Sequence, residues 1–178
     1  HHRLVGSEMC IRDRVILEKH FASASYLLSK RPSSSDFALY GQLSQLVNFD
    51  PTPREICHEV SLRTVAWVGL IEDQSGIEVT DEQWGSIERL PSTVKDLLIE
   101  IGNGYVPAQL ANARAIENGD KEWETEIDNC LWKQKSFPYQ AKCLKWVNEE
   151  YSALEKNDRK KVNNLLDGTG CERLILKL

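Results

Sequence analysis

Apolar positions along this chain change period several times, and each change marks an element. From Arg14 to Lys30, Val15, Leu17, Phe21, Ala24, Leu27 and Leu28 recur at spacings of three and four, which predicts a helix with one apolar face. The stretch Phe37 to Phe49 differs, because it carries no charge. Phe37, Ala38, Leu39, Tyr40, Leu43, Leu46, Val47 and Phe49 fall on every side of a helix. A helix apolar all round is expected to lie enclosed by others, so this one reads as the centre of a helical bundle. It is shorter than the roughly 20 apolar residues that cross a bilayer. Ser33 and Asp36 open it with the spacing of a capping box. The serine oxygen is expected to accept from the third amide, and the carboxylate to return to the cap residue's own N–H. The positive end of the helix dipole favours an acidic residue there as well. Alanine at either position is expected to cost about 1 kcal/mol of stability without removing any chemistry.

Pro51 should stop this helix near Asp50, since the residue before a proline is pushed out of the α region. Pro53 suits the first turn of a third helix, Arg54 to about Asp73, with Ile56, Val60, Leu62, Val65, Val68 and Ile71 inward and Trp67 alongside. Residues 74–85 read as a connector with a short turn near Thr80 to Gln83. A helix is expected over Ser92 to Ile101 and should end at Gly102-Asn103-Gly104, where glycine relaxes the left-handed restriction. Pro107 would open another, closed by Asn118-Gly119. The period then drops to two. Trp123, Thr125 and Ile127 alternate with Glu122, Glu124 and Glu126, which predicts a strand, with a turn at Asp128-Asn129 and a returning strand over Cys130 to Lys135. A lone hairpin is marginal in water, so its Trp face must lie on the helices. Helical spacing resumes from Tyr139 to Leu154. A last helix is expected from Asp158 to Gly168, with Leu174-Ile175-Leu176 folding back. The fold class is therefore all-α, with one small β-hairpin near residues 122–135.

Composition narrows the function classes. A chain of 178 residues can bury roughly 70% of its unfolded surface, enough for a core without staples. Its net charge of −5 and the lack of a basic stripe interleaved with aromatics argue against a nucleic-acid partner. The basic run Lys156 to Lys161 lies beside Glu149, Glu150 and Glu155 and reads as a solvated helix junction. The five cysteines are odd in number and scattered, with no CxxC pair and no Asn-x-Ser/Thr sequon. That pattern favours free thiols in a reducing, cytoplasmic setting. Residues 1–13 have neither a secretory apolar region nor helical periodicity, and resemble a linker run seen at the ends of metagenomic translations. They are expected to be a non-native leader or a disordered terminus, ahead of one helical domain over residues 14–178.

The pattern RPS-x-x-DFxLYGQL from Arg31, followed by DPTP from Asp50, resembles the C-terminal helical domain of glutathione transferases. In that family a capped, buried helix of this kind forms the core, and Arg63 to Val68 looks like the helix after it. Tyr105-Val106-Pro107 with Leu110-Ala111-Asn112-Ala113, and Phe137-Pro138-Tyr139-Gln140 with Lys142-Cys143-Leu144, look like a C-terminal extension of some bacterial members. The likeness spans most of the chain from about Leu17. It implies that Ser33 and Asp36 are structural, and that the intact protein is a homodimeric, detoxifying transferase with glutathione as co-substrate. It also implies that the thioredoxin-like domain, which holds glutathione and supplies the catalytic residue, stands outside this sequence. The chain is then a fragment that cannot turn over substrate alone.

Candidate chemistry is sparse. His20 and His58 are the only internal histidines, and Cys57-His58 are neighbours that point about 100° apart on a helix, so no catalytic residue is assigned. No metal-ligating spacing occurs. Gly102-Asn103-Gly104 and Gly168-Thr169-Gly170 are too short to cradle a phosphate, and helix termination accounts for both. In the family the helical domain lines the pocket of the apolar co-substrate. Tyr105, Trp132, Phe137 and Tyr139, which cluster in the irregular part of the chain, are the substrate-binding candidates. The alternative reading is a non-catalytic helical interaction or assembly module.

Overall fold

A computed structural model describes the backbone of residues 2–175 and the side chains of residues 11–175. In chain order the elements are α1 His2–His20, α2 Ser34–Asn48, α3 Pro51–Val60, α4 Leu62–Glu72, α5 Ser92–Asn118, β1 Glu122–Ile127, β2 Cys130–Lys135, α6 Pro138–Ala153 and α7 Lys156–Leu166. Three single turns of 3-10 helix stand at Asp81–Gln83, Ile87–Arg89 and Cys171–Leu174. The fold is thus mostly helical with one antiparallel two-stranded sheet, as expected. It divides into two compact units, His1–Asp96 and Leu97–Leu178.

In the first unit α1 and α2 each pack on both α3 and α4. Leu17, Leu43, Val47, Trp67, Val68 and Ile71 form the buried apolar interior. Four expectations change here. The backbone of α1 is helical well before Arg14, where apolar periodicity begins; a helical backbone says nothing of where those residues came from. At its other end α1 stops at His20 instead of reaching Lys30. The following segment is held in an irregular course by the side chain that ends α1 and by two from elsewhere. His20 Nε2 donates to the Tyr26 carbonyl at 3.1 Å, Trp67 Nε1 donates to the Ser25 carbonyl at 3.0 Å, and the Leu27 N–H donates to Asp36 at 2.8 Å. Such partners outweigh the apolar spacing that favours helix.

The second correction concerns α2, which is not enclosed. Only Asp36, Leu43 and Val47 are buried along it, while Phe37 is 49% and Phe49 72% exposed. Absence of charge is not the same as apolarity. Gly41, Gln42 and Gln45 give this helix an open face that water can solvate. Third, the helix expected over Arg54 to Asp73 is two helices, broken at Ser61, whose φ of −152° and ψ of 62° are not helical. The buried Ser61 and Thr64 hydroxyls bond at 2.5 Å across the break. The break shifts the inward face, so Leu62 is 61% exposed and Thr64 is buried. Fourth, α3 starts at Pro51, with Asp50 as its cap accepting from the Thr52 N–H at 3.3 Å. The expected turn at Thr80 is present as a small capping box with Gln83.

In the second unit, to which α5 belongs from Leu97, the expected pair of helices is one helix of 27 residues running through Gly102, Gly104 and Pro107. Pro107 removes one rung of the ladder but does not end the helix, because the residues around it are locked in the core. Val106 and Leu110 pack with Ala113, Leu144 and Cys171. Leu174 packs against this cluster, as the fold-back requires, while Leu176 lies outside the described residues. Gly102 is there for close approach, not for termination.

The hairpin matches its sequence reading residue by residue. Ile127 pairs with Cys130, Thr125 with Trp132 and Trp123 with Gln134. The two-residue loop Asp128-Asn129 has φ of 50° and 59°, as a type I′ turn needs. Trp123 and Ile127 are buried, and Trp123 packs on Ala111 and Ala115 of α5. On the opposite face Lys133 pairs with Glu122 at 2.9 Å. Asn129→Val places a β-branched residue at positive φ and should destabilise the hairpin by about 1–2 kcal/mol. A lower melting temperature of the variant, with loss of amide protection confined to β1 and β2, is the expected readout.

Candidate functional site

Two buried amides on α5 set the geometry of the aromatic candidates. Asn112 is 0% exposed, donates from Nδ2 to the Phe137 carbonyl at 3.0 Å, and accepts from the Phe137 N–H at 2.7 Å. Gln109, one turn earlier, is also buried and donates to the Gln140 carbonyl. Together they clamp the cap and first turn of α6, which Pro138 opens. A buried amide satisfied on both sides by backbone is costly to lose and rigid while it lasts. Nothing in the sequence marks Gln109, and Asn112 stands out only as part of the Leu110-Ala111-Asn112-Ala113 motif, since polar residues on a helix are usually solvated.

From this anchored start the side chains of Phe137 and Tyr139 turn to solvent, 53% and 57% exposed. Their rings are 6.2 Å apart, and Tyr139 meets Trp146 edge to face at 6.1 Å. Lys142 Nζ lies 4.9 Å over the Trp146 ring, a cation–π contact. The result is a ladder of three rings along the outer face of α6. Trp146 was not among the expected residues, although its spacing of seven from Tyr139 puts it on the same face. Tyr105 stands beside Cys143, and burial first, then the Cys143 thiol, pushes its phenol above the usual value. Trp132 is elsewhere, half-buried under the hairpin against Ala111, Ala115 and Trp123. Of the four candidates the structure therefore brings Phe137 and Tyr139 together, adds Trp146, and sets Trp132 apart.

No nucleophile with a tuning partner joins this surface. Cys57 is fully buried and accepts from Arg14 Nε at 3.1 Å, whereas His58 is exposed. The two point apart, as adjacency on a helix requires. His20 is buried and used for folding: Nε2–H goes to a carbonyl, so Nδ1 is left to accept from the Thr93 hydroxyl at 2.8 Å. Among the described residues no three His, Cys, Asp or Glu side chains are grouped to hold a metal ion. Among them, too, no helix is long and apolar enough to cross a membrane.

The thiols sort by environment. Cys171 donates to the Leu98 carbonyl at 3.1 Å, and burial pushes its thiol up, opposed by the Thr169 hydroxyl. Cys130 and Cys143 are partly exposed and free, while Cys57 and Cys171 are buried and free; the Cys10 side chain lies outside the described residues. Brief maleimide labelling of the native protein should modify Cys130 and Cys143 and spare Cys57 and Cys171 until denaturant is added. Peptide mass mapping reads this directly.

Compared with models of known families, with curated proteins and with solved structures, the chain matches none.

Proposed function

We propose that the chain forms the apolar-substrate side of a glutathione-transferase-like protein. The observation that carries this reading is the Ser33–Asp36 box at the start of α2, with Asp36 fully buried. That motif is the one on which the resemblance rests. The aromatic ladder of α6 supports it as a face on which an apolar, electrophilic aromatic could stack. In the proposed reaction the glutathione thiolate attacks the electrophilic carbon and a leaving group such as chloride departs. Glutathione and the thiolate-stabilising donor would be held by a thioredoxin-like domain. The described residues contain one two-stranded antiparallel sheet, not the mixed sheet such a domain requires.

The division of labour has a two-sided test. The polypeptide should show no conjugation of glutathione to chlorodinitrobenzene above the uncatalysed rate, and no calorimetric binding of glutathione. It should bind the unreactive 1,3-dinitrobenzene, and Tyr139→Ala should weaken that binding. Catalysed conjugation by the polypeptide would refute the reading. The exposure of the ladder also favours a second reading, a helical interaction module, in which Tyr139→Ala leaves dinitrobenzene binding unchanged.

A further inference from the structure

The first unit contains a cleft of about 670 Å³, walled by residues 23–30, 82–86 and 89–91, to which the substrate face on α6 contributes nothing. One wall is the segment after α1 that departs from its helical spacing. His20, Trp67 and Asp36 fix its backbone at Tyr26, Ser25 and Leu27, and none of these three side chains lines the cleft. The wall is therefore shaped independently of any ligand, which lowers the ordering needed to bind one.

The facing wall is tied to it at two points. The Lys30 N–H donates to the Gln83 carbonyl at 3.0 Å. Gly85 approaches so closely that a Cβ there would sit 2.6 Å from the Leu28 carbonyl oxygen. Lys30 and Arg89 line the cleft against one lining carboxylate, Glu82, while the Glu88 carboxylate accepts from the hydroxyl of the wall residue Ser86. The lining charges are thus net positive in a chain of net charge −5. Apolar surface comes from Leu90, Pro91 and Trp84, which is 50% exposed. The Arg31 guanidinium stacks 4.5 Å over the Trp84 ring and brings a further cation to that indole.

We propose that this cleft binds a small organic anion with a flat apolar body, such as an aromatic carboxylate. The ring would lie against Trp84, Leu90 and Pro91, and the carboxylate would pair with Arg89 and Lys30, where charge-assisted hydrogen bonds are the strong ones available.

Calorimetric titration of the full chain with 2-naphthoate, and with neutral 2-naphthol as its control, tests this. Naphthoate should bind and naphthol bind at least several-fold more weakly. Arg89→Ala and Lys30→Ala should each weaken naphthoate roughly tenfold, the loss of one charge-assisted bond, while leaving the melting temperature unchanged. Gly85→Ala should weaken it as well, by forcing the walls apart, and Tyr139→Ala should have no effect. The proposal fails if naphthoate does not bind, if naphthol binds equally well, or if Arg89→Ala and Lys30→Ala both leave naphthoate binding unchanged, whether or not Tyr139→Ala removes it. None of these outcomes bears on dinitrobenzene binding at α6, so the two sites are judged separately.

Discussion

Replacing Asp36 by alanine is expected to destabilise the first unit by about 3–4 kcal/mol, well beyond the roughly 1 kcal/mol of an ordinary helix cap. The carboxylate is fully buried and accepts three hydrogen bonds. They come from the Ser33 N–H at 2.9 Å, the Ser33 hydroxyl at 2.6 Å and the Leu27 N–H at 2.8 Å. The first is the carboxylate's half of the box that starts α2, and the second ties the Ser33 side chain to the same carboxylate. The third reaches nine residues back and holds the irregular segment in place. Alanine leaves all three donors without their acceptor, and the penalty for a buried orphan exceeds the net worth of the bond it made. At about 5 °C per kcal/mol for a unit of this size, the melting temperature should fall by roughly 15–20 °C.

Ser33→Ala is the informative comparison. It removes the hydroxyl's bonds to Asp36 and Ser35 but keeps the Ser33 N–H and the Leu27 tie, so about 1 kcal/mol should be lost. Equal, small effects from both substitutions would reduce Asp36 to a plain cap. Hydrogen exchange adds a local readout: the Leu27 amide should lose protection in Asp36→Ala and keep it in Ser33→Ala.

That same residue shows where reading by pattern reaches its limit. The hairpin, α6, α7 and the start of α2 follow from neighbours in sequence: a period of two, a period near 3.6, a turn pair tolerant of positive φ, and a serine three residues before an aspartate. Each is a local preference that the fold agrees with. The stop of α1 at His20 is not local. Beside the imidazole of His20 itself, its causes are an indole on α4 and a carboxylate on α2, and nothing in residues 14–30 announces those two. Both ligand-sized features suffer likewise. The α6 ladder depends on Asn112 and Gln109, whose burial no helical pattern reveals. The cleft is walled by two segments without regular structure, whose pairing through Lys30, Gln83 and Gly85 only folding brings about.

Gly102 presents the sharpest conflict between local preference and tertiary position, and its substitution tests which prevails. By helix propensity alone, Gly102→Ala inside α5 should stabilise by about 1 kcal/mol. The structure reverses the sign. An added Cβ would sit 1.9 Å from the Thr169 carbonyl oxygen, 2.9 Å from its carbon and 3.0 Å from the Gly170 Cα. All three are backbone atoms, so no rotamer change relieves the overlap. Gly170, at φ of 83°, is fitted in return: a Cβ there would sit 3.2 Å from the Gly102 Cα. The segment that would be pushed away carries Cys171 into the core beside Val106, Leu110 and Leu144. It also lets Arg173 donate to the Gly102 carbonyl at 3.1 Å. Alanine should therefore cost about 3 kcal/mol, at the upper end of overpacking penalties. Gly41→Ala in α2 is the control, since a Cβ there meets nothing within 4 Å; it should stabilise by about 0.5–1 kcal/mol. Chemical denaturation of the two variants should move the midpoints in opposite directions. A Gly102→Ala protein at least as stable as the parent would mean that α5 and residues 169–170 do not cross at this distance.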